Sequence, residues 1–244
     1  MKGLVIVAGI PYSGKTTFCK ELQKSNPEKF HYIEGDKVFD ELMQKPELFF
    51  EYLKRTDLGF YWTAKTQLAQ MGFLKPKEQL SALVGLSDQF GAKEYLKNMQ
   101  SYVALTYCFE EMAKLHPESC PIMEGLHTTR KSRQNLYERM KLYPAFAKMT
   151  EKSDKDTPTT GDLDDMRKFI VYFDLGVGIS LRRLRKRKGK RKHKTMVTKP
   201  SSVTRHFEMQ ELPSGDEIPN LEILIVKSQA EVDFAVRTVS AAYN

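Results

Sequence analysis

Four groups of residues in this chain have the types and spacing that chemistry requires. The first is "GIPYSGKTT", in which Gly9 and Gly14 stand five apart and lead into Lys15, Thr16 and Thr17. It fulfils the Gly-x-x-x-x-Gly-Lys-Thr pattern: backbone N–H groups surround a phosphate, the lysine reaches the outer oxygens and a hydroxyl meets Mg²⁺. Gly9, Ser13, Gly14, Lys15, Thr16 and Thr17 form the candidate nucleotide-binding set, with Thr16 on the metal side. The second is Asp36 in "YIEGDKVFDEL", a carboxylate that can take the proton of a hydroxyl; "GDKVFDEL" also reads as the cap of a helix. The third, "PIMEGLHTTRKSRQNLYERM", offers Glu124, His127, Arg130 and Arg133 as acceptor-side residues, with the arginines three apart on one helical face. An exposed, solvated helix and a structural histidine are the plainer readings of that segment. The fourth is "RRLRKRKGKRKHK", Arg182 to Lys194, with ten Lys and Arg and no acid.

These groups need elements to hold them. A glycine loop cradles phosphate only between a buried strand and a helix whose N-terminus points at the anion. "GLVIVA" is a short, wholly apolar, β-branched run that suits a buried parallel strand, and "KTTFCKELQKS" sets Phe18, Cys19 and Leu22 on one helical face. "HYIEGD", "CPIMEGLH", "KFIVYFDL" and "LEILIV" read as four more strands, separated by helical segments. Strands alternating with helices predict an α/β fold, a parallel sheet of about five strands wrapped on both sides. One domain spans residues 1–244, with a helical insertion over about 45–115 and a lid over about 182–200. Residues 150–166, polar and holding Pro158 and Gly161, read as a flexible insertion.

Composition narrows the setting. Cys19, Cys108 and Cys120 are too irregularly spaced for a disulfide framework or a zinc signature, which points to a reducing compartment. The apolar run Gly3–Ala8 is too short for a signal peptide, and no stretch approaches a membrane span. A soluble, cytoplasmic protein is expected, with a nuclear location left open by the basic run. The net charge of +8 is local: without the ten cations of that run, 29 of the 39 Lys and Arg remain against 31 Asp and Glu.

A phosphate cradle serves GTPases, motor ATPases and kinases alike. The chain has no NKxD-type guanine motif and no long apolar strand ending in Asp-Glu, which leaves kinases of hydroxyl groups. At four segments the sequence resembles the polynucleotide-kinase-like and seryl-tRNA-kinase-like P-loop kinases: "MKGLVIVAGIPYSGKTTFCKEL", "YIEGDKVFDEL", "PIMEGLHTTRKSRQNLYERM" and "LRRLRKRKGKRKHKTMVTKPSSVTRHFEMQELP". That resemblance implies a P-loop kinase fold, ATP and Mg²⁺, and Asp36 as general base. It also implies arginines on a lid helix that close over the triphosphate; helical spacing favours Arg183 and Arg187, and Arg182, Arg185 or Lys188 fit with a one-residue shift. Two departures stand out. Phe39 occupies the position where the polynucleotide kinases grip an acceptor phosphate with arginine, and "EGLHTT" replaces an Asp-Thr-Asn motif. Glu124 could reach the hydration shell of Mg²⁺ or position the acceptor.

The basic run reads as a lid, as an electrostatic track for a polyanion, or as a nuclear-localisation-like or merely solvated stretch. Ten cations exceed what a lid needs, which favours a polyanionic acceptor such as RNA, DNA or tRNA. The expected activity is transfer of the γ-phosphate of ATP to a hydroxyl on such an acceptor. The alternatives are a small-molecule kinase for a nucleoside, sugar or phosphorylated acid, and a nucleotide-dependent RNA-binding protein with a degenerate site.

Overall fold

The computed structural model describes residues 3–85, 93–116, 118–142, 161–188 and 199–243. The chain divides into two compact units, Met1–Glu34 with Met112–Asn244, and Gly35–Glu111.

The first unit is built on a five-stranded sheet of β1 (Gly3–Gly9), β2 (Phe30–Ile33), β3 (Cys120–Glu124), β4 (Arg167–Phe173) and β5 (Leu221–Val226). All neighbours pair in parallel and the order is β2-β3-β1-β4-β5. This is the α/β parallel-sheet architecture expected of the sequence. β1 lies at the centre with every residue buried, which is why its sequence is an unbroken apolar run and not an alternating one. Helix α1 (Lys15–Ser25) sets Phe18, Cys19 and Leu22 into the core with Val5, Val7 and Phe30. The C-terminal helix, Gln229–Tyr243, adds Val232, Ala235, Val239 and Tyr243 to the same cluster.

Register matters more for chemistry. Gly9 stands opposite Phe173 and Val7 opposite Glu124, so β1 and β4 end together and β3 stops two residues short of them. The carboxyl ends of parallel strands, where the chain switches from one side of the sheet to the other, form the crevice in which such folds bind ligands. Three loops leave from that edge: residues 10–14 after β1, 125–129 after β3 and 174–176 after β4.

The second unit is helical among the described residues: α2 (Gly35–Gln44), α3 (Pro46–Thr56), α4 (Leu58–Gln70), α5 (Pro76–Gly85) and most of α6 (Lys93–Ala113). Local chemistry sets its boundaries. Pro46 occupies the first turn of α3, where its missing N–H costs nothing, and the Asp57 side chain caps α4 by accepting from the Phe60 N–H at 2.8 Å. Phe49, Phe50, Tyr52, Leu53, Ala64 and Leu68 are buried, while Trp62 and Leu74 are exposed. Among the described residues no helix is long and apolar enough to cross a membrane.

Candidate active site

The glycine loop lies where β1 hands the chain to α1. Gly14 caps the helix with φ +112°, a left-handed conformation that a side chain would strain. Lys15 is buried, and its Nζ donates to the carbonyls of Gly9 at 3.0 Å and Ile10 at 2.8 Å, drawing the loop around the ammonium. Ser13 is fully buried and its Oγ has no hydrogen-bond partner among the described residues. Buried hydroxyls are nearly always satisfied. An unpaired one inside a glycine loop is what a phosphate oxygen would complete.

The Thr16 hydroxyl donates to Glu124 Oε1 at 2.9 Å. Glu124 is the last residue of β3, the strand beside β1, and its other oxygen, Oε2, accepts from the Tyr32 phenol of β2. Burial and the adjacent carboxylate push the Tyr32 phenol far above its ordinary pKa, so it remains a donor. Burial, then Glu124, likewise push the Cys19 thiol well up and keep it neutral. Mg²⁺ in phosphate sites is held by one or two protein oxygens together with substrate phosphates and water. Thr16 beside Glu124 fits that donor set without a dedicated cage, and among the described residues no cluster of three metal-ligating side chains exists.

The helices that bound the stretch expected as a lid pack on the loop. Helix Val177–Lys188 follows β4 and helix Pro200–Glu208 follows it; below they are α9 and α10, after α7 (Arg130–Leu142) and α8 (Gly161–Asp165), and Gln229–Tyr243 is α11. Leu184 of α9 and Val203 of α10 are buried against Ile10 of the loop, with Tyr12, Val177, Leu181 and Phe207 packed around them. This contact carries Arg183 to the loop backbone, where its Nη1 donates to Ser13 O at 2.6 Å and Tyr12 O at 3.2 Å. Its Nη2 donates to Gln229 Oε1 at 3.3 Å. A Cβ on Gly14 would stand 2.9 Å from Arg183 Nη1, so the glycine also makes room for the guanidinium. Lys15, Thr16 and Arg183 therefore meet at one loop. The Arg187 side chain and residues 189–198, which include the rest of the basic run, lie outside the described residues.

On the other flank, the segment after β3 is sewn to β1 by Gly125 N to Val7 O and Gly9 N to Leu126 O, both at 3.0 Å. His127 sits there in the left-handed region at φ +33°, and a Cβ on Gly125 would fall 2.2 Å from His127 Nε2. Loss of hydration, then the charges of Lys15 and Arg133, push the imidazole down to about 4, so it is neutral at physiological pH.

The two arginines expected to grip an acceptor phosphate are employed differently. Arg133 is fully buried, its Nε and Nη2 forming a two-pronged bond to Glu217 at 2.6 and 2.7 Å. Its Nη1 donates to the carbonyls of Glu211 at 2.9 Å and His127 at 3.1 Å, which braces the His127 turn. Arg130 is exposed and pairs with Asp216 at 2.7 Å. The exposed helix face expected to carry both thus divides: one guanidinium is interior structure and the other is a surface ion pair.

Asp36 lies three residues beyond the end of β2, exposed in the first turn of α2, where a carboxylate also favours the helix dipole. Phe39 is half-buried on the same helix. Sequence reasoning passed over Tyr32, Gln229 and Glu217. Each acts on a residue between 46 and 92 positions away in the chain, which no local motif reports.

No family model and no curated protein matches the sequence. Among solved structures, the chain is similar to one described as a candidate kinase from Chloroflexus aurantiacus J-10-fl, at 13% identity and a TM-score of 0.49, covering 98% of this chain and 97% of that one.

Proposed function

We propose that this protein is an ATP- and Mg²⁺-dependent kinase that transfers the γ-phosphoryl group to a hydroxyl, in the manner of the polynucleotide-kinase-like P-loop kinases. One observation carries the reading: Lys15, the Thr16–Glu124 pair and Arg183 converge on a single glycine loop at the carboxyl edge of a parallel sheet. Phosphoryl transfer depends almost wholly on positioning and on cations placed where charge spreads over the transferring oxygens. The loop N–H groups and Ser13 bind the nucleotide phosphates, and Lys15 sits against the outer ones. Thr16, with Glu124 beside it, would hold Mg²⁺, which would supply neutralisation of phosphate charge. Arg183 supplies a further cation from the α9 side. Asp36 takes the proton of the acceptor hydroxyl as that oxygen bonds to phosphorus and the bond to the ADP oxygen breaks.

The acceptor is a polyanion in the reading that the basic run favours, since residues 182–194 hold ten cations and no acid. A second reading, a small uncharged hydroxyl compound, has its own support: Arg130 and Arg133 are paired with Asp216 and Glu217, and Phe39 replaces an arginine.

The experiment is incubation with γ-labelled ATP and Mg²⁺ over a panel of 5′-hydroxyl DNA, RNA, tRNA, nucleosides and sugars. Label in at least one acceptor is expected, with none for Asp36→Asn although that variant still binds ATP. Salt separates the two acceptor readings, because polyanion binding weakens steeply with ionic strength and binding of a neutral acceptor does not. ATP binding with no labelled acceptor would favour a non-catalytic nucleotide-dependent protein.

A further inference from the structure

The bond from Thr16 to Glu124 has a directional consequence. A threonine hydroxyl has one proton and two lone pairs. With the proton committed to Glu124 Oε1 at 2.9 Å, both lone pairs point away from the carboxylate, and a hydroxyl oriented in this way is ready to ligate a cation. The orientation lasts only while Glu124 keeps Oε1 toward Thr16. A carboxylate on a strand end can rotate about its terminal torsion, which is broad. Its second oxygen must therefore be held as well.

Tyr32 holds it. β2 is an edge strand paired only with β3, in a register that sets Tyr32 opposite Ile122. Glu124 is two residues past Ile122 and so points to the same face of the sheet, one diagonal step from Tyr32. The phenol spans that step and donates to Oε2. The ring itself is packed against the core cluster of Val5, Phe18, Cys19 and Ile122, which fixes where its hydroxyl can reach. Both oxygens of one carboxylate are thus fixed by donors from two different elements.

We infer that Tyr32 is a positioning residue for the metal side of the site: it clamps Glu124 so that the Thr16 hydroxyl presents its lone pairs to the divalent cation that accompanies the nucleotide. The inference rests on the phosphate-loop reading above. Tyr32 touches neither nucleotide nor metal in this role and acts only through Glu124. Such outer partners of metal sites are worth about 10- to 100-fold in metal affinity.

The test compares ADP binding by titration calorimetry with excess Mg²⁺ and with EDTA, in the wild type and in Tyr32→Phe. The substitution keeps the ring and its packing and removes the donor alone. In the wild type Mg²⁺ should tighten ADP binding. In Tyr32→Phe the Mg²⁺-dependent gain should fall about tenfold while the affinity in EDTA stays the same, a split that a general loosening of the fold would not produce. Glu124→Gln should lose a similar part of the gain, and the double variant should lose little more than either alone. A gain in Tyr32→Phe equal to that of the wild type overturns this inference and leaves the kinase reading intact. A wild type that binds ADP equally well with and without Mg²⁺, or not at all, overturns the phosphate-loop reading and this inference with it. Should Tyr32→Phe fold poorly by circular dichroism, Tyr32→Leu, which keeps an apolar side chain and carries no donor, makes the same comparison.

Discussion

Two pairs of cations flank the carboxyl edge of the sheet, and their partners differ in kind. At the glycine loop, Lys15 donates to two backbone carbonyls and Arg183 to two more and to an amide oxygen. After β3, Arg133 and Arg130 donate to the carboxylates of Glu217 and Asp216. Carbonyl dipoles orient a cation without cancelling its charge, whereas a carboxylate cancels it. The loop thus sets two cations on oriented carbonyls, and the segment after β3 binds its two cations to carboxylates. Carbonyl bonding alone does not define an anion site. Lys168, fully buried at the opposite end of β4, gives its three protons to the carbonyls of Asp164, Met166 and Pro219 and serves the fold. Position at the carboxyl edge, beside Gly14 and the unpaired Ser13 hydroxyl, makes the difference.

The largest effect that would test this contrast is on rate. Arg183→Ala should lower phosphoryl transfer by about 10³-fold, the lower end for a cation on the transferring group. Its denaturation midpoint should hardly move, because Leu181 and Leu184, not the guanidinium, pack the helix. A rate within threefold of wild type would make Arg183 a loop brace and nothing more. The mirror-image variant is Glu217→Ala. Leaving the Arg133 guanidinium buried without its carboxylate should cost about 3–5 kcal/mol of stability, read from urea unfolding. Transfer per folded molecule should change less than for Arg183→Ala. A stability cost near zero would mean that Arg133 can turn outward, and would restore it as an acceptor residue.

How much of this was legible beforehand follows from the range of the interactions. The five strands are short apolar runs between glycines and helical stretches, and apolar runs are a local signal. The loop is equally local, since its function rests on backbone conformation within nine residues. Glu124 is legible as the acidic end of an apolar strand, but its pairing with Thr16 across 108 positions needs the β1–β3 register. Arg133 misleads for the same reason. Its spacing from Arg130 correctly places both on one helix face, yet the acid that buries it comes 84 residues later, in a proline- and glycine-containing segment with no motif of its own. Helix spacing tells which residues share a face and not what covers that face. Asp36 is found where its strand-exit position requires, and that position serves a base and a helix-dipole carboxylate equally.

An intermediate effect concerns His127, which lies between the two pairs and feels both Lys15 and Arg133. Its folded pKa of about 4 is below the ordinary 6.5, so between these values the unfolded chain binds the extra proton. Stability from this group is complete above pH 6.5 and is lost as the pH falls through 4. The gap between the two values sets an upper limit of about 3 kcal/mol on the loss. Urea midpoints for the wild type and His127→Gln from pH 7.5 to 4.5 should converge toward the acid end, and parallel curves would remove His127 from the acid sensitivity. Gly125→Ala tests the same turn, since its methyl would meet the imidazole and should displace it.

The smallest expected effect falls on Arg130, and its smallness is informative. Its guanidinium is exposed and paired with an exposed Asp216, an arrangement that contributes little to stability and is screened by salt. Arg130→Ala should leave the denaturation midpoint unchanged within error. If Asp216 has neutralised the arginine, the Michaelis constant for the labelled acceptor should also hold. Asp216→Ala then becomes the sharper variant, because it frees the cation that Arg130→Ala removes. With a polyanionic acceptor, freeing Arg130 should lower the Michaelis constant at low salt and lose that gain at high salt; with an uncharged acceptor it should change nothing at either. A rise in the constant for Arg130→Ala at unchanged stability would show that the surface pair opens to receive the acceptor, and the contrast between the two pairs of cations would then hold for Arg133 alone.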